Sequence, residues 1–535
     1  MAFFSWQFIC FLIVAVTVYY LIPGRFQWIV LLISSAWYYF VGGGPRAAVF
    51  VAVTVVTTWG GACLMDSIQK KEELKALEAA AHSSPSEEGD SGPSAGKPVK
   101  LSRAQKKELK ALVQKKKRLV LTLVLLLNFG ILGVLKYGSF VSTNLNSLFA
   151  RFHSGTQIPV VDFILPLGIS FYTFQSMGYL IDVCRGKYRA ERNLFRLALF
   201  TSYFPSILQG PINRYDELAS QLYTPHRFDD RRFREGILRM LWGFFKKMVI
   251  AERASVIVNE VFGGFEQHRY AGFTILVAAF FYGIQLYADF MACVLISKGT
   301  AALYGIKLKD NFDHPYFATS IQDFWRRWHM SLSSWLRDYV YIPLGGNRHG
   351  KFRKYLNLLL TFLVSGIWHG DGIHFIFWGL LHGTYQIIGT LTDSFRQRLL
   401  DAAGIFRNTL VWKLWKRLGT FVLVMLAWVI FRANTLTQGL HMCRSMFTVF
   451  NPWIFFDDSL LDLGLNWREL NILTFSCLLL LAVSTIQERL CIRDWIEKQH
   501  LLIRWSLIFG AITAILIFGT YGYGFNAADF IYGGF

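Results

Sequence analysis

The chain consists mostly of long apolar runs, and its polar residues are concentrated in the short stretches between them. A helix needs about 20 apolar residues to cross the ~30 Å hydrocarbon core of a bilayer. The pattern therefore predicts an all-α, polytopic membrane protein with about eleven transmembrane helices plus re-entrant or interfacial helices. The runs lie near residues 2–22, 26–42, 46–65, 119–137, 158–181, 196–213, 236–252, 271–300, 354–369, 372–392, 413–432, 469–486 and 503–523.

Two of these runs are interrupted by residues that a membrane span rarely carries. Pro205, Gly210 and Pro211 interrupt the run at 196–213, and two adjacent lysines interrupt the run at 236–252. Proline removes a backbone donor, and a charge at the bilayer centre costs at least ~2.5–3.5 kcal/mol. We expect both runs to be re-entrant or interfacial.

One long polar stretch, residues 66–118, separates the third run from the fourth. Its two ends, QKKEELKALEAAA and LSRAQKKELKALVQKKKR, have helical composition with Glu–Lys pairs at helical spacing, and its Ser/Gly/Pro-rich middle is typical of a flexible linker. The many lysines and arginines place the stretch in the cytoplasm, so three spans precede it and the N-terminus faces outward. A solvated helical hairpin is the simplest interpretation, and docking of anionic lipid or a partner is the alternative.

Composition agrees with a membrane protein, because 53% of the residues are hydrophobic and only 17% are charged. The net charge of +20 comes from basic residues between apolar runs, which indicates membrane topology and not a nucleic-acid partner. The seven cysteines are scattered without a CxxC pair, as expected for small buried hydrophobic residues. The first 22 residues lack a basic n-region and a small-residue cleavage site, which predicts a retained span.

The segment DFWRRWHMSLSSWLRDYVYIPLGGNR, residues 323–348, concentrates charge and aromatic rings. Written as one helix over 323–338, it places arginines on one face and tryptophans on another, with His329 between them and Asp323 within reach of Arg327. The polar face should line a wet cavity, pair with carboxylates or bind an anion; an amphipathic interfacial helix is the alternative. The aromatic face comprises Trp325, Trp328, Leu332 and Trp335, and the polar face comprises Arg326, Ser333 and Arg337.

A second candidate site is SGIWHGDGIHF, where His369 ends an apolar run between Gly366 and Gly370. Imidazole has an unperturbed pKa of about 6.5, so it is a natural general base for a hydroxyl group, and small neighbours would let a substrate approach. A satisfied histidine at a helix end remains the alternative. A metal site with His374 and His382 is disfavoured, because the spacings are neither HxxxH nor HExxH.

Four stretches together resemble the membrane-bound O-acyltransferase family, and within it the alginate O-acetyltransferase type. They are LPLGISFYTFQSMGYLIDVCRGK (165–187), YFPSILQGPINRY (203–215), the charged segment at 323–348, and SGIWHG (365–370). The resemblance implies that family's fold, with His369 as the catalytic base and His329 as the second family histidine. It also implies that several other residues line the substrate tunnel: Trp325, Arg326, Arg327, Trp328, Ser333, Arg337, Asp338, Trp368, Asp289 and Gln175.

The resemblance implies transfer of an acyl group, most simply acetyl, from a cytoplasmic thioester to a hydroxyl of an extracellular polysaccharide. The donor would be acetyl-CoA, or a carrier-protein thioester as in D-alanylation of teichoic acid, and no cofactor or metal would be bound permanently. The implied partners are an SGNH-type transferase outside the membrane or a small membrane partner, besides the lipid bilayer, and no nucleic acid. The implied location is a bacterial plasma or inner membrane. Oxyanion donors could be His329, the indole NH of Trp328 or Trp368, or Arg326 or Arg327.

The implied division of the chain is 1–65, N-terminal transmembrane helices; 66–118, the charged cytoplasmic insertion; 119–400, the catalytic core; and 401–535, C-terminal transmembrane helices. One stretch departs from the family pattern: where the family often has DFSGYSDMAIG, this chain reads DFMACVLISKG (289–299). Asp289 is kept, Leu295 takes the second acidic position, and Lys298 enters an apolar run. Two other functions stay open, namely a transporter or channel and a non-catalytic scaffold of a polysaccharide export complex.

Overall fold

The computed structural model describes residues 3–82, 101–153, 156–161, 165–268 and 270–521, and within these ranges the chain forms helices and no β-strand. The first helices are α1 (Trp6–Leu21), α2 (Gln27–His82), α3 (Arg103–Arg151), α4 (Ile169–Cys184), α5 (Leu194–Ser202), α6 (Phe204–Ile207), α7 (Tyr215–Leu222), α8 (Asp230–Phe245), α9 (Glu252–Gly263), α10 (Phe265–His268) and α11 (Phe273–Leu303). The others are α12 (Ile321–Arg327), α13 (Met330–Leu336), α14 (Gly350–His369), α15 (Ile373–Leu391), α16 (Asp393–Ala402), α17 (Leu410–Arg432), α18 (Leu436–Thr448), α19 (Trp467–Gln487), α20 (Ile492–Glu497) and α21 (Leu501–Phe518). The predicted all-α fold is confirmed.

Six of the described helices are long and apolar enough to cross a membrane, judged by length and composition alone. They are α2, α3, α11, α17, α19 and α21. The predicted number of about eleven spans is not confirmed. Among the six, α11 is the most deeply buried and lies at the centre of the protein.

Helix α2 joins two of the predicted runs, 26–42 and 46–65, across a kink. Gly44 has a φ of 73° and Pro45 follows it, so the hydrogen-bonding pattern of the helix is broken between the two runs. Beyond the second run, α2 continues into the charged insertion and packs against the start of α3. Lys116 bonds Glu72 at 2.8 Å, and Lys117 bonds Gln69 at 2.5 Å. The linker predicted in the middle of the insertion, residues 83–100, lies outside the described residues.

The run at 196–213 is interrupted as predicted. It folds into the short helices α5 and α6 followed by irregular chain, and its residues 199–212 are all buried. The neighbouring run at 158–181 differs from the predicted single span, because the helix begins only at Ile169. Gly168 there has a φ of 71°, and a Cβ atom on it would lie 2.2 Å from the Ile207 carbonyl oxygen, so only glycine fits.

The predicted single helix over 323–338 is wrong. The chain forms α12 and α13 instead, with a break at His329, which has φ 45° and ψ 54° in the left-handed region. A π-helical turn, Arg337–Tyr341, follows α13. Helical spacing could not reveal this break, because tertiary hydrogen bonds described below hold it.

Helices α14 and α15 form an antiparallel hairpin whose backbones nearly touch. A Cβ atom on Gly366 would lie 2.4 Å from the Phe375 carbonyl oxygen, and one on Gly379 would lie 2.3 Å from the Phe362 carbonyl oxygen. On Gly370, a Cβ atom would lie 2.0 Å from the Phe375 ring. The space beside the two glycines that flank His369 is therefore filled by Phe375, and their role in the structure is close packing.

Candidate active site

His329 is positioned by the loop that precedes α12. Asn311 is fully buried, its carbonyl oxygen accepts the Met330 N–H at 2.9 Å, and its Oδ1 accepts the Ser331 N–H at 3.0 Å. The Asp313 N–H donates to the Arg327 carbonyl at 3.0 Å on the other side of the break. These bonds stabilise a backbone conformation that a residue other than glycine rarely adopts.

The His329 imidazole is fully buried among aromatic rings. Its centroid lies 4.8 Å from that of Phe290, 5.8 Å from that of Trp368 and 6.3 Å from that of Phe171. Neither of its ring nitrogens has a hydrogen-bond partner within the described part of the chain. Because a buried polar group without a partner costs free energy, this side chain is a strong candidate for contact with a ligand.

His369 is the last residue of α14 and is also buried. Its Nδ1 lies 2.6 Å from the Ser365 carbonyl oxygen, one turn earlier in the helix. Only a protonated Nδ1 can make this bond, so Nε2 carries the lone pair in the neutral ring. The Trp378 ring lies 4.8 Å away and the Phe431 ring 5.5 Å away.

The Trp368 ring contacts both histidines. Its ring centroid is 5.8 Å from that of His329 and 4.8 Å from that of His369. The Trp368 Nε1 is buried, and no hydrogen-bond acceptor for it is found among the residues that the structure describes. The structure thus brings together three of the predicted residues, with two imidazoles and one unsatisfied indole NH.

A third histidine belongs to the same cluster, and sequence reasoning considered it only as a metal ligand. The Nδ1 of His382 accepts the Trp325 indole NH at 3.2 Å, and its ring lies 5.0 Å from Trp378, which also contacts His369. Trp325 and Trp328 are both buried in this cluster. In the described ranges no three His, Cys, Asp or Glu side chains are grouped as metal ligands would be.

Sequence reasoning also missed Lys136 and Tyr137 on α3. The Lys136 ammonium is buried and donates to the Trp368 carbonyl at 2.5 Å, and the Tyr137 hydroxyl donates to the Ile367 carbonyl. Both bonds close the C-terminal turn of α14, where His369 lies. The available signal was that Lys136 is the single charge in the apolar run 119–137.

Asp289 lies in a buried ionic triad. The Lys247 ammonium is 2.8 Å from Asp289 Oδ1 and 2.8 Å from Glu252 Oε1, and all three side chains are buried. Lys247 belongs to a π-helical turn, Lys246–Ala251, between α8 and α9. The two lysines that predicted an interfacial segment are thus inside the protein. Asp289 adjoins Phe290, whose ring contacts His329.

The side chains of the remaining predicted residues are exposed or have partners other than the two imidazoles. Arg326 is exposed, and Arg327 pairs with Asp323 at 3.0 Å, as the helical spacing predicted. The exposed Arg337 pairs with its neighbour Asp338 at 2.8 Å.

Asp338 has a second partner, Arg214, that the sequence did not suggest, and the other two predicted tunnel residues bond backbone groups. Asp338 also pairs with Arg214 at 2.8 Å. The Ser333 hydroxyl donates to the Trp328 carbonyl at 3.3 Å. Gln175 donates to the Phe200 carbonyl at 2.6 Å and accepts the Asn213 N–H at 3.1 Å, so it anchors the irregular segment.

The stretch of α11 that differs from the family pattern, residues 289–299, has no carboxylate at the second acidic position. Leu295 is buried and lies against α8, where a Cβ atom on Gly243 would be 3.3 Å from the Leu295 Cβ. Lys298 pairs with Asp310. Leu295 therefore packs between α11 and α8.

A cavity of about 310 Å³ lies beside the aromatic cluster, between α11, α17 and α19. None of the predicted site residues lines it. It reaches the cluster through Tyr287 and Tyr316, whose rings contact Trp328. Both imidazoles are buried.

Comparison with known proteins agrees with this arrangement. The model of the MBOAT, or membrane-bound O-acyltransferase, family matches residues 189–429, which include both histidines and Trp368. "Probable alginate O-acetylase AlgI" of Azotobacter vinelandii is 39% identical over 362 residues, which cover 67% of each chain. The chain belongs to the membrane-bound O-acyltransferase family.

Two more distant relatives are named for other activities. "Peptidoglycan O-acetyltransferase" of Helicobacter pylori is 36% identical, with 62% of this chain and 65% of the relative covered. "Teichoic acid D-alanyltransferase" of Bacillus subtilis is 30% identical, with 43% and 60% covered. The chain thus spans about three fifths to two thirds of the length of these relatives. The predicted family, the O-acyltransferase class and the multi-pass membrane character are confirmed.

Proposed function

We propose that this membrane O-acyltransferase transfers acetyl from a thioester to the hydroxyl groups of an extracellular polysaccharide, with His369 as the general base. The observation that carries this proposal is that the His329 and His369 rings both contact the Trp368 ring, inside the segment that matches the family. Buried imidazoles in an aromatic cage form a dry site, where electrostatic interactions are strong.

In the proposed reaction, His369 Nε2 accepts the proton of the acceptor hydroxyl. The oxygen then attacks the thioester carbonyl carbon, the carbon–sulfur bond breaks, and the imidazolium returns the proton to the leaving thiolate. The bond from Nδ1 to the Ser365 carbonyl supports this role, because it fixes the tautomer in which Nε2 is basic. A positioned base contributes typically 10²–10⁴-fold to the rate.

The oxyanion of the tetrahedral intermediate needs hydrogen-bond donors. The Trp368 indole NH supports this assignment, because it is buried without an acceptor among the described residues and lies next to both histidines. His329 can supply a second donor. Arg326 and Arg327 are less suitable, since one is exposed and the other is paired with Asp323.

The proposed donor is acetyl-CoA on the cytoplasmic side, and the acceptor is reached through a separate SGNH-type transferase outside the membrane. The names of the A. vinelandii and H. pylori relatives support acetyl transfer to a cell-envelope polymer. The likeness to the B. subtilis relative supports a second candidate, D-alanyl transfer from a carrier protein to teichoic acid, with a small membrane partner in place of the SGNH-type transferase. A bacterial plasma or inner membrane is the location proposed for either activity.

The test uses the full chain in membrane vesicles supplied with [¹⁴C]acetyl-CoA or with a D-alanyl carrier protein. We expect transfer of the label from acetyl-CoA. In His369→Ala the transfer activity should fall at least about 100-fold, while the protein level is unchanged. His441→Ala is the matched control, because His441 is exposed on α18. Full activity of His369→Ala would refute the base assignment, and transfer from the carrier alone would favour the second candidate.

A further inference from the structure

Helix α14 ends at His369 without a cap of its own. The next residue, Gly370, is extended, and its N–H makes no capping bond to the helix. The last carbonyl groups of a helix have no partner within the helix, and they form the negative end of its dipole. Other parts of the protein must therefore satisfy the carbonyl groups beside the catalytic imidazole.

Two side chains of α3 supply these partners. The Lys136 ammonium donates to the Trp368 carbonyl at 2.5 Å, and the Tyr137 hydroxyl donates to the Ile367 carbonyl. A lysine in the middle of an apolar helix is costly unless it makes a compensating contact. Here the contact is with the backbone of the two residues that immediately precede His369.

We infer that Lys136 is a positioning residue, which holds the C-terminal turn of α14 so that the His369 imidazole stays in register with Trp368 and His329. This inference rests on the proposed function of His369, and it extends the site to a helix outside the segment that matches the family, residues 189–429. Tyr137 assists from the same turn of α3. The hydrogen bond that Lys136 makes is to the backbone of α14, at the Trp368 carbonyl, and we assign its positioning role to this bond.

The kinetic consequence follows from the geometry. When the ammonium is removed, the Trp368 carbonyl loses a charge-assisted bond and the last turn of α14 opens more often. A small displacement of a general base can lower the rate about 100-fold, while substrate binding is little affected. We therefore expect Lys136→Met to lower kcat about 10- to 100-fold with KM unchanged within about twofold.

The experiment compares Lys136→Met and Lys136→Arg with a control on the same helix. Lys117→Met is matched, because Lys117 is also buried on α3 but bonds Gln69 of α2. Vesicle kinetics with [¹⁴C]acetyl-CoA give kcat and KM, and hydrogen exchange of purified full-length protein gives the protection of residues 364–372. Lys136→Met should have a lower kcat and faster exchange at residues 364–372. Lys136→Arg should recover part of the kcat and part of the protection, and Lys117→Met should change neither quantity.

Wild-type kcat in Lys136→Met, or unchanged exchange at residues 364–372, overturns the inference. The two proposals fail in different ways. If His369→Ala keeps full activity, the proposed function fails, whereas the exchange measurement still decides whether Lys136 holds the end of α14. If His369→Ala is inactive and Lys136→Met is not, only the positioning role fails.

Discussion

The triad of Lys247, Glu252 and Asp289 gives a quantitative prediction for Lys247→Met. One ammonium lies 2.8 Å from each of two carboxylates, and the three side chains are only 6%, 4% and 3% exposed. Methionine has similar length and no charge, so the substitution removes the ion and leaves the local volume nearly unchanged. The two carboxylates then face each other in a low-dielectric interior without their shared cation.

The expected cost follows from measured buried ion pairs, where removal of one partner destabilises a protein by about 3–5 kcal/mol. Lys247→Met should therefore lower the free energy of unfolding by about 3–5 kcal/mol. The triple variant Lys247→Met, Glu252→Gln, Asp289→Asn should recover most of this loss, because no uncompensated charge stays buried. Lys309→Met is the control, since the Lys309–Glu217 pair is 65% and 37% exposed and should contribute less than about 1 kcal/mol.

The assay is unfolding of the purified protein in mixed micelles with increasing SDS, followed by tryptophan fluorescence. The triad reasoning is refuted if Lys247→Met costs no more than Lys309→Met. It is also refuted if the triple variant is less stable than Lys247→Met, because then the hydrogen bonds and not the unpaired charges would control stability.

Two further predictions concern the cluster and the turn before α4. Trp368→Phe keeps an aromatic ring but removes the indole NH, so kcat in the [¹⁴C]acetyl-CoA assay should fall about 100-fold while KM is unchanged. A wild-type kcat would exclude Trp368 as an oxyanion donor. Gly168→Ala should destabilise the protein in SDS unfolding, because a Cβ atom would lie 2.2 Å from the Ile207 carbonyl oxygen at a φ of 71°. Gly389→Ala, which meets nothing within 4 Å, should be neutral or stabilising, and equal losses for both variants would contradict the steric argument.

The helical fold could be predicted from the sequence because apolar runs of membrane length have few alternatives to helix. The pairing of Asp323 with Arg327 was also predictable, since residues four apart on a helix are neighbours. The break at His329 was not, because it depends on bonds from Asn311, which lies 18 residues earlier in the chain. Periodicity reports local conformation, and a tertiary hydrogen bond can override it.

The candidate site was predictable in part, for a similar reason. The family resemblance identified His329 and His369, and the structure brings their rings to the same tryptophan. The sequence could not show that Lys136 reaches the Trp368 carbonyl, because the two residues are separated by 232 positions. Charged residues within apolar runs were the available signal, and both Lys136 and Lys247 proved to be buried with specific partners.

The near contact of the α14 and α15 backbones has a consequence for how relatives of this enzyme can differ in substrate size. Gly366 packs against the Phe375 carbonyl and Gly379 against the Phe362 carbonyl, so at these two points no side chain can be shortened to make room. Under the proposed function, Phe171 and Phe290, which flank His329, are side chains that can be shortened beside an imidazole. Exchange of those two phenylalanines for smaller residues should then let the enzyme accept a bulkier acyl group.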